Sequence, residues 1–223
     1  MCKAGRCVMK YQVAYFDLDG TLVDSAPGIL GSMQKALEQF GVHPTLQQLR
    51  RYLGPPLQQM FADFLPAEQV AEGVRIYRQY YVTGGVLFDA LVYDGVPEAL
   101  ARLQQGGVQL CLATAKPKAT AQQVLDHFGL SQYFAQVGGT VEEAGILDKT
   151  GVIRNNLQHS TFAPGAHLMV GDRRDDLQGA AAAGIDALGV LYGYGSREEL
   201  AAHPHMALCE SPGAVAQFIL TQG

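Results

Sequence analysis

The sequence lacks the features that define several classes of protein. Its net charge of −5 leaves no basic surface for a nucleic-acid polymer, and no apolar run approaches the roughly 20 residues that span a membrane. Four cysteines among 223 residues fit neither a disulfide framework nor a zinc site, which predicts free thiols in a cytoplasmic protein. The N-terminal segment with Cys2 and Cys7 precedes no apolar stretch, so we do not expect a signal peptide. What remains is a globular protein, which we expect to be a monomer or a homodimer.

Strand-like and helical patterns alternate from about Pro97 onward, which is typical of a parallel sheet flanked by helices. The predicted strands are Gln12–Phe16, Val108–Ala113, Ala135–Val137, His167–Val170 and Asp186–Val190. The predicted helices begin near Pro97, Pro117, Lys149, Arg173, Ser196 and Pro212. This pattern predicts an α/β fold with a Rossmann-like parallel-sheet core.

Between Ser25 and Ala90 the periodicity is helical only, with three helices indicated. We therefore expect an inserted all-α helical domain at residues 24–90, and a core domain formed by residues 1–23 and 91–223. The aromatic and methionine positions of the insertion are predicted to form its own hydrophobic core.

Two carboxylates follow the first predicted strand in the segment Asp17-Leu18-Asp19-Gly20-Thr21. Side chains at i and i+2 of an extended segment share a face, so both carboxylates would point the same way at the carboxyl end of the strand. That edge is where open α/β sheets bind ligands. The pair predicts a hard metal ion with one carboxylate as nucleophile and the other as general acid/base. The alternative is that the segment forms only a turn.

Three later segments fit the same chemistry. Thr114 ends a strand-like run, where its hydroxyl and nearby N–H groups predict a phosphate cradle, unless it caps the next helix. Lys149 starts a helical pattern and is either a functional charge or a solvated one. Asp172 ends another strand, and Asp176 lies one helical turn later, where it would orient the metal or Lys149.

Together these residues resemble the haloacid dehalogenase-like hydrolase superfamily. Residues 17–22 look like its motif I, Thr114 its motif II, Lys149 its motif III, and Gly171 through Asp176 its motif IV. The resemblance implies a Mg²⁺-dependent phosphatase with an α-helical cap inserted after motif I. The cap would close over the site about hinges near residues 23–25 and 84–90.

The resemblance also implies a role for each site residue. Asp17 would be the nucleophile and Asp19 the general acid/base, while Thr114 and Lys149 would hold the phosphoryl oxygens. The metal ligands would be Asp17, the backbone carbonyl of Asp19, and Asp172. The remaining expected substrate contacts are Gly20, Thr21, Ala115 and, from the cap, Arg50. Arg50 and its neighbour Arg51 could equally be solvated surface charges.

The sequence further resembles the phosphoglycolate phosphatase and 5′-nucleotidase-like branch of the superfamily. Asp19 argues against dehalogenase chemistry. The segment around Lys149 lacks the two prolines that the mutases and many phosphoglycolate phosphatases have there, and so looks closer to the 5′-nucleotidase-like form. Ala115 stands where Ser or Asn is common, and Arg173 where Ser is common, which adds positive charge near the site. The expected substrate is a small phosphorylated metabolite, such as phosphoglycolate or a nucleoside 5′-monophosphate. The alternatives are a phosphomutase of the β-phosphoglucomutase type and a non-catalytic binding protein on the same fold.

Overall fold

The computed structural model describes residues 9–54 and 57–222, which form two compact units. The first unit takes its residues from Met1–Leu22 and Tyr93–Gly223, and the second is Val23–Val92. Cys2 and Cys7 lie outside the described residues. The two described cysteines, Cys111 and Cys209, are buried free thiols, as predicted.

A six-stranded parallel sheet forms the centre of the first unit, with the order β5–β4–β1–β6–β7–β8. Its strands are β1 (Val13–Phe16), β4 (Gln109–Pro117), β5 (Gln136–Thr140), β6 (His167–Gly171), β7 (Asp186–Val190) and β8 (Ala207–Cys209). The predicted parallel α/β core is confirmed. Strand β8 was not predicted, because three residues carry no readable periodicity. Strand β5 extends past the predicted end at Val137 because Gly138 and Gly139, which are unusual in strands, continue it.

Among the described residues of this unit, six α-helices lie between or after the strands, and their starts agree with the sequence pattern to within a residue or so. They are α5 (Val96–Gln105), α6 (Lys118–His127), α7 (Lys149–Gln158), α8 (Arg174–Ala183), α9 (Arg197–Ala201) and α10 (Pro212–Thr221). Ser196 and Ser211 cap α9 and α10 by accepting a backbone hydrogen bond from the first turn of each helix.

The sheet is buried on both faces. Val13 and Tyr15 of β1 belong to a core cluster with Val152 of α7 and Leu177 of α8. Phe16 faces the other way and lines a small apolar space with residues of α5 and α10. Burial on both faces explains why the strands read as continuous apolar runs and not as alternating ones.

The second unit is helical, apart from the two-residue strands β2 (Val23–Asp24) and β3 (Leu91–Val92), which pair antiparallel where the chain enters and leaves it. Its α-helices are α1 (Ala26–Glu38), α2 (Leu46–Leu49), α3 (Leu57–Ala62) and α4 (Ala67–Arg78). Short 3₁₀ segments at Arg50–Tyr52 and Val86–Phe88 and a π-helical segment at Gln79–Thr83 complete it. Met33, Phe61 and Tyr77 are buried, as expected for core positions.

Among the described residues, no helix combines the length and the apolar character that a membrane crossing requires.

Candidate active site

The expected site residues lie at the carboxyl ends of three neighbouring strands of the sheet. Asp17 directly follows the central strand β1, Asp172 directly follows β6, and Thr114 belongs to the last part of β4. Strand β1 has β4 on one side and β6 on the other, so distant parts of the chain meet at this edge. This is the position at which open parallel sheets place their ligands.

Lys149 joins two of these carboxylates. Its Nζ lies 2.7 Å from Asp17 Oδ1 and 2.7 Å from Asp176 Oδ1, and it donates to the carbonyl oxygen of Ala113 at 3.0 Å. The Lys149 side chain is only 6% exposed. Helix α7 places it, since Asp148 caps the helix by accepting from the Gly151 N–H and Lys149 is the next residue. Lys149 is therefore a buried ion-pair partner, and the alternative of a solvated lysine is wrong.

The charges of this trio depend on one another. Burial alone would lower the pKa of Lys149, but the carboxylates of Asp17 and Asp176 outweigh it and hold that pKa above its usual range. Burial raises the pKa of Asp176 to about 7, against the opposing effect of Lys149. The trio thus keeps a charged ammonium beside Asp17, where it can hold an anionic oxygen.

Asp172 is completely buried and held by uncharged donors. The Thr21 hydroxyl donates to Oδ1 at 3.2 Å, and the Tyr194 N–H donates to Oδ2 at 2.7 Å. Burial, followed by the nearby charges of Asp176 and Asp17, raises the pKa of Asp172 well above its usual range. Thr21 itself is fully buried, so its hydroxyl serves the Asp172 carboxylate.

Gly20 allows Asp172 to approach motif I. Its φ of 83° lies in the left-handed region, and a Cβ built on it would overlap the Asp172 carboxylate. Gly193 and Gly195, which flank Tyr194, meet the same steric limit, since a β-carbon on either would overlap Asp172. The Gly-Tyr-Gly sequence after β7 is the signal from which this loop could have been predicted.

The donor set fits a divalent metal ion. Carboxylate oxygens of Asp17, Asp172 and Asp176 all lie within 4.8 Å of one another. Three buried carboxylates cluster around one ammonium, and the hydrogen bonds to Asp172 carry no formal positive charge. Such an excess of buried negative charge is stabilised by a hard cation with oxygen ligands. The expected metal ligands Asp17 and Asp172 are both members of this carboxylate group.

Asp19 pairs with Lys116, a residue that the sequence motifs do not indicate. Both of its carboxylate oxygens lie 2.9 Å from Lys116 Nζ, and the Lys116 side chain is 6% exposed. The two carboxylates of motif I therefore have separate lysine partners, Lys149 for Asp17 and Lys116 for Asp19. Lys116 is the second residue after Thr114 in the sequence, but this spacing alone gives no sign that it is buried.

Thr114 is buried, and its hydroxyl accepts from the Lys116 N–H at 3.2 Å. Pro117, not Thr114, is the N-cap residue of α6, so the capping alternative is wrong. Strand β4 also continues to Pro117, beyond the predicted end at Ala113, through a register shift. Ala115 is exposed within this shifted segment.

The positive charge of Arg173 is balanced by a residue that the sequence did not indicate. Its Nε lies 2.9 Å from Glu199 Oε1, which also accepts from the Arg174 N–H. The Arg173 N–H donates to Asp176 Oδ2 at 3.0 Å, which adds a second constraint on that carboxylate. Arg173 thus contributes less free positive charge to the site than its sequence position suggests.

In the helical unit, Arg50 and Arg51 are both exposed in the 3₁₀ segment that they begin. Arg51 donates to the Tyr52 hydroxyl at 2.6 Å, and that hydroxyl donates to Asp63 at 2.8 Å. This network gives Arg51 a structural role within the unit. The expected substrate contact of Arg50 stays a prediction.

Known proteins are similar to this chain along most of its length. The sequence profile of the haloacid dehalogenase-like hydrolases matches residues 14–190. A protein of Pseudomonas aeruginosa named 5′-nucleotidase is 37% identical over 215 residues, which cover 95% of this chain and 96% of that protein. A protein of Aliivibrio fischeri named phosphoglycolate phosphatase is 32% identical, covering 83% of this chain and 86% of that protein.

Two further similarities extend the comparison. The tyrosine-protein kinase PtkA of Mycobacterium tuberculosis is 37% identical over 185 residues, which are 82% of this chain but 63% of that protein. The crystal structure of a predicted phosphatase from Clostridium acetobutylicum superposes with a TM-score of 0.88 at 33% identity, covering 94% of this chain and 98% of that one.

Proposed function

This chain belongs to the haloacid dehalogenase-like hydrolase family, which confirms the predicted enzyme class, and we propose that it is a Mg²⁺-dependent phosphomonoesterase. Its substrate is a small phosphorylated metabolite. The names of the relatives in Pseudomonas aeruginosa and Aliivibrio fischeri support a nucleoside 5′-monophosphate or phosphoglycolate.

The observation that carries the proposal is the buried contact of Lys149 with Asp17. An ammonium 2.7 Å from the nucleophile's carboxylate can hold a phosphoryl oxygen next to the attacking atom. Phosphoryl transfer depends mainly on positioning and charge neutralisation, and this contact provides both. A binding protein would gain nothing from keeping such a costly buried cluster.

In the first chemical step, a carboxylate oxygen of Asp17 attacks phosphorus and an O–P bond forms. The bond between phosphorus and the leaving oxygen breaks, and the electron pair stays on that oxygen. Protonated Asp19 donates its proton to the leaving oxygen, so the product departs as a neutral alcohol. Asp17 then carries the phosphoryl group as an acyl phosphate.

In the second step, water attacks the phosphorus of the aspartyl phosphate. Asp19, now a carboxylate, takes a proton from the water while the new O–P bond forms. The bond from phosphorus to Asp17 breaks, which releases phosphate and restores the Asp17 carboxylate. Thr114 and Lys149 hold the phosphoryl oxygens through both steps.

Asp17 and Asp172 would hold the Mg²⁺ ion, together with the backbone carbonyl of Asp19. When bound, the ion neutralises charge on the phosphoryl group and on the buried carboxylates. For Val23–Val92 we propose the role of a cap that excludes water and contributes specificity, with Arg50 as a candidate substrate contact.

A phosphate-release screen tests the function. The purified protein would be assayed against nucleoside 5′-monophosphates, phosphoglycolate and sugar phosphates with Mg²⁺, with chelator, and with Ca²⁺ in place of Mg²⁺. We expect turnover only with Mg²⁺, because the larger Ca²⁺ favours bidentate carboxylates and would draw Asp17 from its line of attack. Full activity in chelator would contradict the metal requirement, and no phosphate release from any substrate would contradict the function.

A further inference from the structure

The pairing of Lys116 with Asp19 gives the site a second buried lysine with its own carboxylate. The ammonium lies 2.9 Å from each Asp19 oxygen, so it contacts the carboxylate through both oxygens. The Lys116 side chain is almost fully buried, whereas that of Asp19 is 20% exposed. The carboxylate is therefore partly accessible to solvent, whereas its lysine partner is shielded from it.

A distortion of β4 presents Lys116 at this position. Ala113 pairs with Gly138 and Pro117 with Thr140, so three residues of β4 oppose the single residue Gly139 of β5. Such a bulge redirects the side chains of the longer strand. A β-carbon on Gly139 would lie 2.7 Å from the carbonyl oxygen of Lys116, so glycine is needed for the close approach.

Two side-chain hydrogen bonds hold the peptide group that joins Ala115 to Lys116 within the bulge. The Lys116 N–H donates to the Thr114 hydroxyl at 3.2 Å, and the Thr140 hydroxyl donates to the Ala115 carbonyl at 3.3 Å. The lysine thus stands on a fixed backbone, as a residue that orients a reacting group requires. The same bulge carries Thr114, so the phosphate-holding hydroxyl and the lysine are placed by one piece of backbone.

We propose that Lys116 is a positioning residue that holds the Asp19 carboxylate in line with the leaving oxygen and with the attacking water. This inference rests on the proposed function and on the role of Asp19 in it. In this assignment Lys116 acts on Asp19 and not on the phosphoryl group. Its contribution is expected only where Asp19 acts, which separates it from Lys149.

The test compares two aryl substrates of similar shape, neither with a second anionic group. Phenyl phosphate has a poor leaving group that needs protonation, whereas 4-nitrophenyl phosphate has a good one that does not. We expect Lys116→Met to lower kcat/KM for phenyl phosphate by about 10- to 100-fold, since a misplaced reacting group loses rate on this scale. The loss with 4-nitrophenyl phosphate is expected to stay under about 3-fold.

A double-mutant cycle with Asp19→Asn makes the test specific. If Lys116 acts through Asp19, Lys116→Met adds less than about 2-fold in the Asp19→Asn background, because residues that act as a unit are not additive. Lys116→Arg is expected to recover part of the loss, since a guanidinium can bridge both carboxylate oxygens. Lys118→Met, a change at a nearby exposed lysine, is the matched control and should leave both rates unchanged.

Equal losses on the two substrates, or full additivity with Asp19→Asn, would overturn the proposal. A loss confined to substrates with a second anion, such as phosphoglycolate, would also overturn it and make Lys116 a substrate contact. If Lys116→Met does not fold, Lys116→Gln is judged by the same criteria. A wild-type protein that releases no phosphate would contradict the proposed function itself, which is a distinct result.

Discussion

The charged side chains at the two ends of the parallel sheet differ in how deeply they are buried. At the amino end, Lys10 Nζ and the Tyr11 hydroxyl each lie 2.8 Å from Asp186 Oδ2 at the start of β7. The Lys10 and Asp186 side chains remain 43% and 35% exposed. At the carboxyl end, Lys149 and its carboxylate partners form a network that is almost completely buried.

This difference in burial indicates which charged groups serve the stability of the fold and which serve its function. An exposed pair such as that of Lys10 contributes about 0–1 kcal/mol and needs little desolvation. The buried network carries a desolvation penalty of several kcal/mol per ion, which its internal attractions only partly offset. In the described part of the chain, the amino end of the sheet has only an exposed ion pair, so folding of the sheet does not require a buried charge cluster. The cluster at the carboxyl end is therefore explained by chemistry.

Removing the nucleophile should give the largest effect on rate. We expect Asp17→Asn to lower kcat by about 10⁴–10⁶, the range found when a covalent nucleophile is removed, with the fold retained. The measurement is phosphate release together with circular dichroism. The same substitution at the other end of the sheet, Asp186→Asn, is the control and should leave the rate unchanged.

Removing the shared lysine should damage both stability and rate. Lys149→Met leaves two buried carboxylates without their ammonium, so we expect a loss of about 3–5 kcal/mol in unfolding free energy. Adding Asp176→Asn should recover part of the stability and none of the activity. Chemical denaturation checks this, with Lys10→Met as the control at the amino end. A stability change under 1 kcal/mol for Lys149→Met would show that the network is not a buried charge cluster.

Disturbing the close contact between Gly20 and Asp172 should mainly lower the affinity for the metal ion. Gly20→Ala places a β-carbon against the Asp172 carboxylate and forces alanine into the left-handed region. We expect the Mg²⁺ affinity to fall about 10- to 100-fold, as is found when the support of a metal ligand is lost. Thermal unfolding as a function of Mg²⁺ concentration measures it. Gly165→Ala, where a β-carbon meets open space, should leave the affinity unchanged.

The smallest effect is expected on stability, from the exposed ion pair of Lys10 and Asp186. Burial tends to raise the pKa of Asp186, but the hydrogen bonds from Lys10 and Tyr11 outweigh it and lower that pKa. The pKa of Lys10 is raised by the Asp186 hydrogen bond. The pair therefore stabilises the fold between the acid and alkaline ranges, and its contribution is lost as pH falls through the folded pKa of Asp186 or rises through that of Lys10.

Asp186→Asn should thus reduce stability at neutral pH by about 1 kcal/mol or less, and the difference from wild type should shrink below about pH 4. Denaturant titrations at several pH values measure it. A difference that grows on acidification would have the wrong sign for this pair.

The sequence was a good guide wherever one local pattern carried the information. Apolar runs predicted β1, β6 and β7, and the start of α7 at Lys149 follows from the helical pattern after it. The ends of β4 and β5 were misjudged because a bulge and a glycine pair extend them beyond their apolar runs. Local periodicity does not record such irregularities.

The site residues that the sequence missed all depend on long-range contacts. Lys116 meets Asp19 across 97 positions of sequence, and Arg173 meets Glu199 across 26. The N–H of Tyr194 that holds Asp172 is a backbone group, which every residue other than proline has. Motif residues can be identified from their type and spacing, but their partners are determined only when the sheet brings the strand ends together.

Mapping the phosphorylated residue tests the central claim most directly. The Asp19→Asn variant would be mixed with 4-nitrophenyl phosphate and Mg²⁺, quenched in acid, and treated with borohydride, which reduces an aspartyl phosphate to homoserine. We expect the peptide that contains residue 17 to show this conversion, and the Asp17→Asn/Asp19→Asn double variant to show none. Modification at another residue, or turnover with no modified peptide, would contradict Asp17 as the nucleophile.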